Sequence, residues 1–213
     1  MASCGWLYDI YVYDWMGYVY DWMGRTIRKI HSDQTDVFFS YEGCGCAGGL
    51  VTTIRSEYAT AYNVAGTLTE GRKTQKVYED ILGRTKKVEQ WDLDGAGTDP
   101  YSTVVNTFNG RDQVTLSRQY AGNTSSGTFQ DTTMTYDGHG RLKTSHRPEQ
   151  MDDEDDPAFT TYNYNADDSI SSVVDARGAA THNTYNSLGL IEEISWTVPG
   201  GSGIAVPDSV EFT

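Results

Sequence analysis

Four histidines, three cysteines and thirty Asp or Glu side chains are the residues of this 213-residue chain with the means to do chemistry. Cys44-Gly-Cys46, with His31 thirteen residues upstream, offers soft ligands of the kind zinc prefers, or a redox pair. Structural zinc sites, however, hold two or more residues between paired cysteines and use four ligands, and Cys4 is the only other thiol. The spacing instead favours a Gly-rich hairpin turn in which small Cys side chains pack. Three cysteines are also too few and too close for a disulfide framework. Asp92-Leu-Asp-Gly-Ala-Gly-Thr-Asp99 sets carboxylates among glycines, as a calcium loop would, yet Ala96 takes an alternating ligand position and no bidentate Glu closes the loop. The acidic run Asp152–Asp156 has no Gly to curve it round an ion and reads as solvated. His31, His139, His146 and His182 sit in no nucleophile elbow or metalloprotease motif, and His139 falls where a turn expects an exposed polar residue. No catalytic, cofactor-binding or metal-ligating residue is assigned, no cofactor is expected, and the chain reads as no enzyme.

The elements around these residues follow from composition. With 25 Thr, 15 Tyr and 22 Gly against nine Leu, the chain suits pleated, half-buried strands joined by tight turns, so the expected class is all-β. The balance of 16 basic against 30 acidic residues gives a net charge of −14, which repels a phosphate backbone and argues against a nucleic-acid partner. No apolar run is long enough to span a membrane as a helix, and the start reads as no signal peptide. Fifteen Tyr and five Trp could supply platforms for sugars, with Trp15 and Trp22 the best candidates for exposure. Aromatics at alternate strand positions serve first as cross-strand packing pairs.

Internal repetition organises the chain. Tyr11-Val-Tyr-Asp-Trp-Met-Gly17 recurs unchanged as Tyr18-Val-Tyr-Asp-Trp-Met-Gly24, and a looser aromatic–Asp/Asn–Gly pattern recurs at Tyr20, Tyr41, Tyr62, Tyr78, Phe108, Tyr136, Tyr164 and Tyr185. Their separations of 21, 21, 16, 30, 28, 28 and 21 describe a unit of about 21 residues with insertions in some copies. In Met134-Thr-Tyr-Asp-Gly-His-Gly-Arg-Leu-Lys-Thr144, alternating apolar and polar positions run into a turn and out again. Asp137 is placed to accept from the backbone two residues on, and Gly140 to take the left-handed conformation that closes the turn with a bulge. Tyr136 and Met134 then share a face. One such hairpin cannot bury enough to stand alone, so the units must extend a common sheet. Segments such as Thr160-Thr-Tyr-Asn-Tyr164 leave much of that sheet polar on both sides.

Tyr-Asp-x-x-Gly-Arg followed by an apolar residue resembles the YD-repeat, or Rhs-repeat, family of bacterial toxin, wall-associated and teneurin-like proteins. Tyr20 and Tyr136 carry it in full, and Tyr78-Glu-Asp-Ile-Leu-Gly-Arg84 carries it with one extra residue. Tyr13 has Tyr18 in place of the Arg, Tyr41-Glu-Gly-Cys-Gly-Cys46 ends in Cys, Phe108-Asn-Gly-Arg111 is shortened, and Tyr164-Asn-Ala-Asp-Asp168 lacks the Gly. The resemblance implies tandem antiparallel hairpins in one long twisted or spiralling sheet, a partial β-shell. It implies a structural, non-enzymatic role in encapsulating or presenting a toxin domain, with flanking YD repeats or that toxin as partners and an extracellular or cell-surface setting. The alternative is a carbohydrate- or cell-surface-binding module working through exposed aromatics. The family's core segment and its Asp-Pro-x-Gly cleavage motif are missing, since Asp99-Pro-Tyr101 and Asp156-Pro-Ala158 lack the Gly, so the chain reads as a fragment. The expected organisation is an irregular lead-in at 1–10, the repeat sheet at 11–194 and a Pro/Gly-rich tail at 195–213.

Overall fold

The computed structural model describes residues 10–13, 16–43, 48–62, 68–93, 99–150, 158–200 and 209–212. Every regular element among them is a β-strand. The first eight are β1 (Ile10–Tyr13), β2 (Met16–Tyr20), β3 (Thr26–Ile30), β4 (Asp36–Gly43), β5 (Gly48–Tyr62), β6 (Leu68–Asp80), β7 (Thr85–Leu93) and β8 (Ser102–Phe108). The remainder are β9 (Val114–Tyr120), β10 (Phe129–Tyr136), β11 (Leu142–His146), β12 (Thr160–Tyr164), β13 (Ile170–Val174), β14 (Ala180–Tyr185), β15 (Ile191–Thr197) and β16 (Val210–Glu211). They form one open sheet whose strand order is the chain order, as the Thr- and Tyr-rich alternating sequence predicts. No helix among the described residues is long and apolar enough to cross a membrane.

The chain divides into two compact units, Met1–Asn106 with Arg118–Phe129, and Thr107–Ser117 with Gln130–Thr213. In the first, the longest pairing joins β5 and β6 over eleven residue pairs, from Gly48↔Asp80 to Tyr62↔Leu68. Gly49 is needed there, because a Cβ on it would lie 2.3 Å from the Glu79 carbonyl oxygen. In the second, β14 and β15 pair from Ala180↔Thr197 to Tyr185↔Ile191.

A single sheet buries little. Among the described residues the buried apolar side chains include Val51, Leu93 and Ala180, and Asp36, Thr53, Thr74 and Thr103 are buried among the polar ones. Most other strand residues whose burial is described are half-buried. Cross-strand pairs and side-chain hydrogen bonds must therefore supply what a thick core would supply elsewhere.

The connections differ in length. Those described that lead from even to odd strands are tight, joining Tyr20 to Thr26, Asp80 to Thr85, Phe108 to Val114, Tyr136 to Leu142, Tyr164 to Ile170 and Tyr185 to Ile191. Long connections all lead from odd to even strands, as between Leu93 and Ser102, His146 and Thr160, and Thr197 and Val210. The insertions that stretch the repeat from 21 to 28 residues thus fall on one kind of turn. β15 runs on through Thr197, and β16 pairs with it at Glu193↔Glu211 and Ile194↔Val210, inside the stretch read from sequence as a tail.

Candidate functional site

The recurring motif makes a recurring turn. In eight places among the described residues the opening residue donates its N–H to the carbonyl four residues on, and accepts at its own carbonyl from the residue three on. The openers are Asp21, His31, Asp80, Asn109, Asp137, Asn165, Asp175 and Asn186. The fourth residue always has positive φ: Gly24, Gly83, Gly140, Gly178 and Gly189 at five turns, but Gln34, Asp112 and Asp168 at the others. In six turns the opener's Oδ1 also accepts the N–H groups two and four residues on, as Asp137 does from His139 and Arg141, each at 2.9 Å. One short polar side chain therefore satisfies two backbone donors, which is why Asp and Asn open these turns. The bulges at Val19/Tyr20, Thr135/Tyr136, Asn163/Tyr164 and Thr184/Tyr185 sit beside them, as expected of a three-residue hairpin closed by a left-handed residue.

The Arg of the motif reads the same carboxylate from the side. Arg25, Arg84 and Arg141 each place Nε and Nη2 on Oδ2 of Asp21, Asp80 and Asp137, at 2.6–2.8 Å. Partial burial pulls the Asp137 carboxyl upward, but the Arg141 N–H and guanidinium more than offset it and hold it below the ordinary aspartate value. At Asp80 the Arg84 side chain is the leading cause of the same downward displacement.

The tyrosine then joins one repeat to the next. Tyr41, Tyr136, Tyr164 and Tyr185 donate their hydroxyls to the carbonyls of Thr26, Val114, Leu142 and Ile170, at 2.8–2.9 Å. Each acceptor lies five residues after the opener of the preceding even-to-odd turn, at Asp21, Asn109, Asp137 and Asn165. At two turns the Arg guanidinium covers the incoming ring, Arg25 lying 4.4 Å from the centre of Tyr41 and Arg141 4.5 Å from that of Tyr164. Burial raises the hydroxyl pKa of both tyrosines above the ordinary value. Phe108 has no hydroxyl, and Asn106, two residues earlier on the same face, donates to the Thr85 carbonyl instead at 3.0 Å.

Two local arrangements supplement this joint. In the first unit Arg72 bonds the Asp36 carboxylate, the Asp36 carbonyl and the Ser56 carbonyl, tying β4, β5 and β6 together. Arg28 bonds the same carboxylate at 2.5 Å, and both guanidinium groups approach the Phe38 ring. Burial opposes ionisation of Asp36, and the two arginines outweigh it, so its pKa falls below the ordinary value. In the second unit Arg111 Nη1 donates to the Gly138 carbonyl at 2.9 Å, Gln113 Nε2 to the Gly140 carbonyl at 2.5 Å, and Arg141 Nη1 to Asp168 Oδ1 at 2.7 Å. Consecutive turns are thereby bridged, and beside Arg111, Thr115 and Tyr136 they leave an open cleft of about 700 Å³.

Several motif assignments change. The turn after Tyr78 is of full length, Asp80–Arg84, and Tyr78 sits one strand position further back. Its hydroxyl therefore meets Glu89 Oε2 at 2.8 Å, and its ring meets Lys87 Nζ at 3.9 Å. The Phe108 copy is not shortened, since Asn109 opens a complete turn with Gln113 in the Arg position. At Asn165 the missing Gly is replaced by Asp168 with φ of 69°. The turns opened by His31 and Asp175 carry no preceding aromatic and were invisible to a search anchored on Tyr, though Asp175-Ala-Arg-Gly178 shows the same Asp-to-Gly spacing.

Among the described residues the other candidates form no group that could hold a metal ion. His146 Nδ1 lies 2.9 Å from the Ala158 carbonyl, its ring packs on Phe159, and His139 is exposed at a turn tip. His31 pairs with Glu57, and His182 Nε2 lies 3.3 Å from Thr197 Oγ1. Asp92 accepts from the N–H of Leu93, and Asp99 from Asn123 Nδ2 at 2.6 Å. Trp22 is exposed at a turn tip with 75% of its surface free. Cys4, Cys44, Cys46, Trp15, residues 94–98 of the acidic loop, the Asp152–Asp156 run and the turn after Tyr62 lie outside the described residues.

No family model and no curated protein matches the sequence. Among solved structures the chain is similar to a TcdB2-TccC3-TEV chain (10% identity, TM-score 0.39) and to the Tc holotoxin pore of Photorhabdus luminescens (8% identity, TM-score 0.40), each over 86% of this chain and 15% of that one. It is also similar to a porin-like protein from Bacteroides uniformis, at 10% identity and a TM-score of 0.32, over 86% of this chain and 90% of the other. The chain therefore spans about one seventh of the length of the toxin chains it resembles.

Proposed function

We propose that this chain is a non-enzymatic wall segment of a larger YD-repeat β-shell that encloses or presents a toxin domain. The observation that carries the reading is the joint between repeats: a Tyr hydroxyl closing on a carbonyl 15 or 22 residues earlier, four times over. In the complete copies Asp is satisfied by backbone and Arg, and Arg is shared between Asp and the next ring, so the motif's polar groups are consumed in holding strands together. A sheet built this way extends by adding units without a thick core, as a wall must. Sequencing the DNA on both sides of this reading frame and imaging the longest in-frame product by electron cryomicroscopy tests it. A hollow shell with this stretch in its wall is expected, and a product without a closed chamber overturns the encapsulating role.

A second reading rests on Trp22. Its exposure, beside Met23 at the tip of the Asp21 turn, suits a stacking platform for a sugar. Glycan-array binding abolished by Trp22→Ala would favour a surface-binding module; absence of any glycan signal would remove it.

A further inference from the structure

The joint described above has a fixed register. Between β3 and β4 the pairing Arg28↔Phe38 continues to place Ser40 opposite Thr26, and Tyr41 follows it. Between β11 and β12 the pairing Thr144↔Thr161 continues to place Asn163 opposite Leu142, and Tyr164 follows it. Between β13 and β14 the pairing Ser172↔His182 places Thr184 opposite Ile170, and Tyr185 follows it. In all three the tyrosine comes one residue after the position facing its acceptor.

The last tight turn, opened by Asn186, provides the same acceptor five residues on, at Ile191. β16 approaches β15 in the corresponding way: Val210 faces Ile194, Glu211 faces Glu193, and the Phe212 N–H reaches the Glu192 carbonyl at 2.8 Å. A strand prolonged in this register sets the second residue beyond Glu211 opposite Ile191, and the third in the tyrosine position.

Exposure marks the same place independently. At the Asp137 turn Arg141, whose guanidinium lies over the Tyr164 ring, and Leu142 are half-buried, whereas their counterparts Leu190 and Ile191 are 61% and 40% exposed. Val210 and Phe212, opposite Ile194 and Glu192 and so on the Leu190 face, are exposed as well. Leu190 in place of Arg offers the incoming ring an apolar contact instead of a cation.

We infer that the Ile191 edge is a docking slot for a tyrosine-bearing strand of a further repeat hairpin, received in the β16 register, with the hydroxyl on the Ile191 carbonyl and the ring over Leu190. The slot continues the series of joints already present in the sheet, and its assignment to a repeat hairpin rests on the wall-segment reading.

The test appends the sequence of Tyr136–His146 directly after Thr213, so that its first Tyr becomes the third residue beyond Glu211. Two controls accompany it: one Gly inserted before that Tyr, and the same Tyr changed to Phe. Amide hydrogen exchange across Ile191–Thr197 is followed by mass spectrometry, with sedimentation to report the oligomeric state. The in-register extension is expected to slow exchange there about tenfold, the Phe version less, and the Gly-shifted version not at all. Equal protection by the shifted version, or none from the in-register one, overturns the slot. So does protection of the unextended chain that tracks dimer formation, which would assign the edge to a second copy. This readout is local, so a slot that works in a protein forming no chamber would overturn the encapsulating reading alone.

Discussion

The turns opened by Asp137 and Asn186 have the same backbone and different surroundings. Both close with an opener N–H to carbonyl bond of 2.9 Å and a Gly N–H bond of 3.0 Å. Both use one side-chain oxygen to hold two further N–H groups, and both place Gly at positive φ, 88° and 76°. Only the first has an Arg, bonded to Asp137 and Asp168 and covering Tyr164, while Leu190 stands exposed at the second. The Asx side chain and the left-handed residue therefore make the turn, and the cation serves the joint to the next repeat.

Breaking the joint should cost most. Tyr164→Ala removes a half-buried ring and its hydroxyl, and is expected to lower stability by about 2 kcal/mol in urea unfolding, below the range for fully buried aromatics because the ring is half open. Tyr164→Phe keeps the ring and leaves the Leu142 carbonyl without its donor, an expected loss of about 1 kcal/mol. A Phe variant as damaging as the Ala variant would mean that the hydroxyl, and not the ring, carries the joint.

Breaking the turn should act equally at both places. Gly140→Ala and Gly189→Ala each force a side chain into left-handed backbone, with an expected loss of about 1 kcal/mol. Gly140 should lose slightly more, since its new Cβ would meet Gln113 Nε2 at 3.3 Å while Gly189 faces open space. Exchanging the cations sharpens the contrast further. Arg141→Leu should speed amide exchange around Tyr164 while leaving the hairpin register intact, and Leu190→Arg should leave the Asn186 turn unchanged. Paired chemical shifts across each turn would reveal a register slip if either expectation fails.

The smallest effect is on pH. The Asp137 carboxyl titrates below its unfolded value, so its contribution is full above about pH 4 and is lost as the pH falls through the lower folded value. Asn186 carries no carboxyl, and its turn should show no such acid step. The Tyr41 and Tyr164 hydroxyls, raised by burial, work in the opposite sense. Their contribution is full below about pH 10 and is lost as the pH rises through the higher folded values, which late-titrating tyrosinate absorbance would register.

Much of the fold could be read directly, because a hairpin turn is specified by neighbours in sequence. Asp137 and Gly140 behave as their residue types require, and Tyr136 lies beside Met134 on one face, with the hydroxyl 3.9 Å from the sulfur. What escaped reading depends on distant partners or on context. Arg72 meets Asp36 across 36 residues of sequence, with no local pattern to announce it. The duplicated heptad is a sharper case: Met16 and Gly17 lie in strand β2, while Met23 and Gly24 form the turn after it. Identical residues thus take different conformations in the two copies, so the motif alone does not decide where a turn forms. Gln34, Asp112 and Asp168 escaped for another reason, since an Asx or polar residue can occupy left-handed backbone that sequence reading reserves for Gly.

The confinement of long connections to odd-to-even crossings has a consequence for how such a chain can change. A residue gained between Tyr20 and Thr26, or between Tyr136 and Leu142, displaces an Asp, an Arg and a carbonyl that must meet the next ring. A residue gained between His146 and Thr160 displaces none of them. The borders that already carry long connections, Leu93–Ser102, Tyr120–Phe129, His146–Thr160 and Thr197–Val210, are therefore open to length variation, grafted epitopes and peptide tags, whereas the tight turns tolerate substitution without growth.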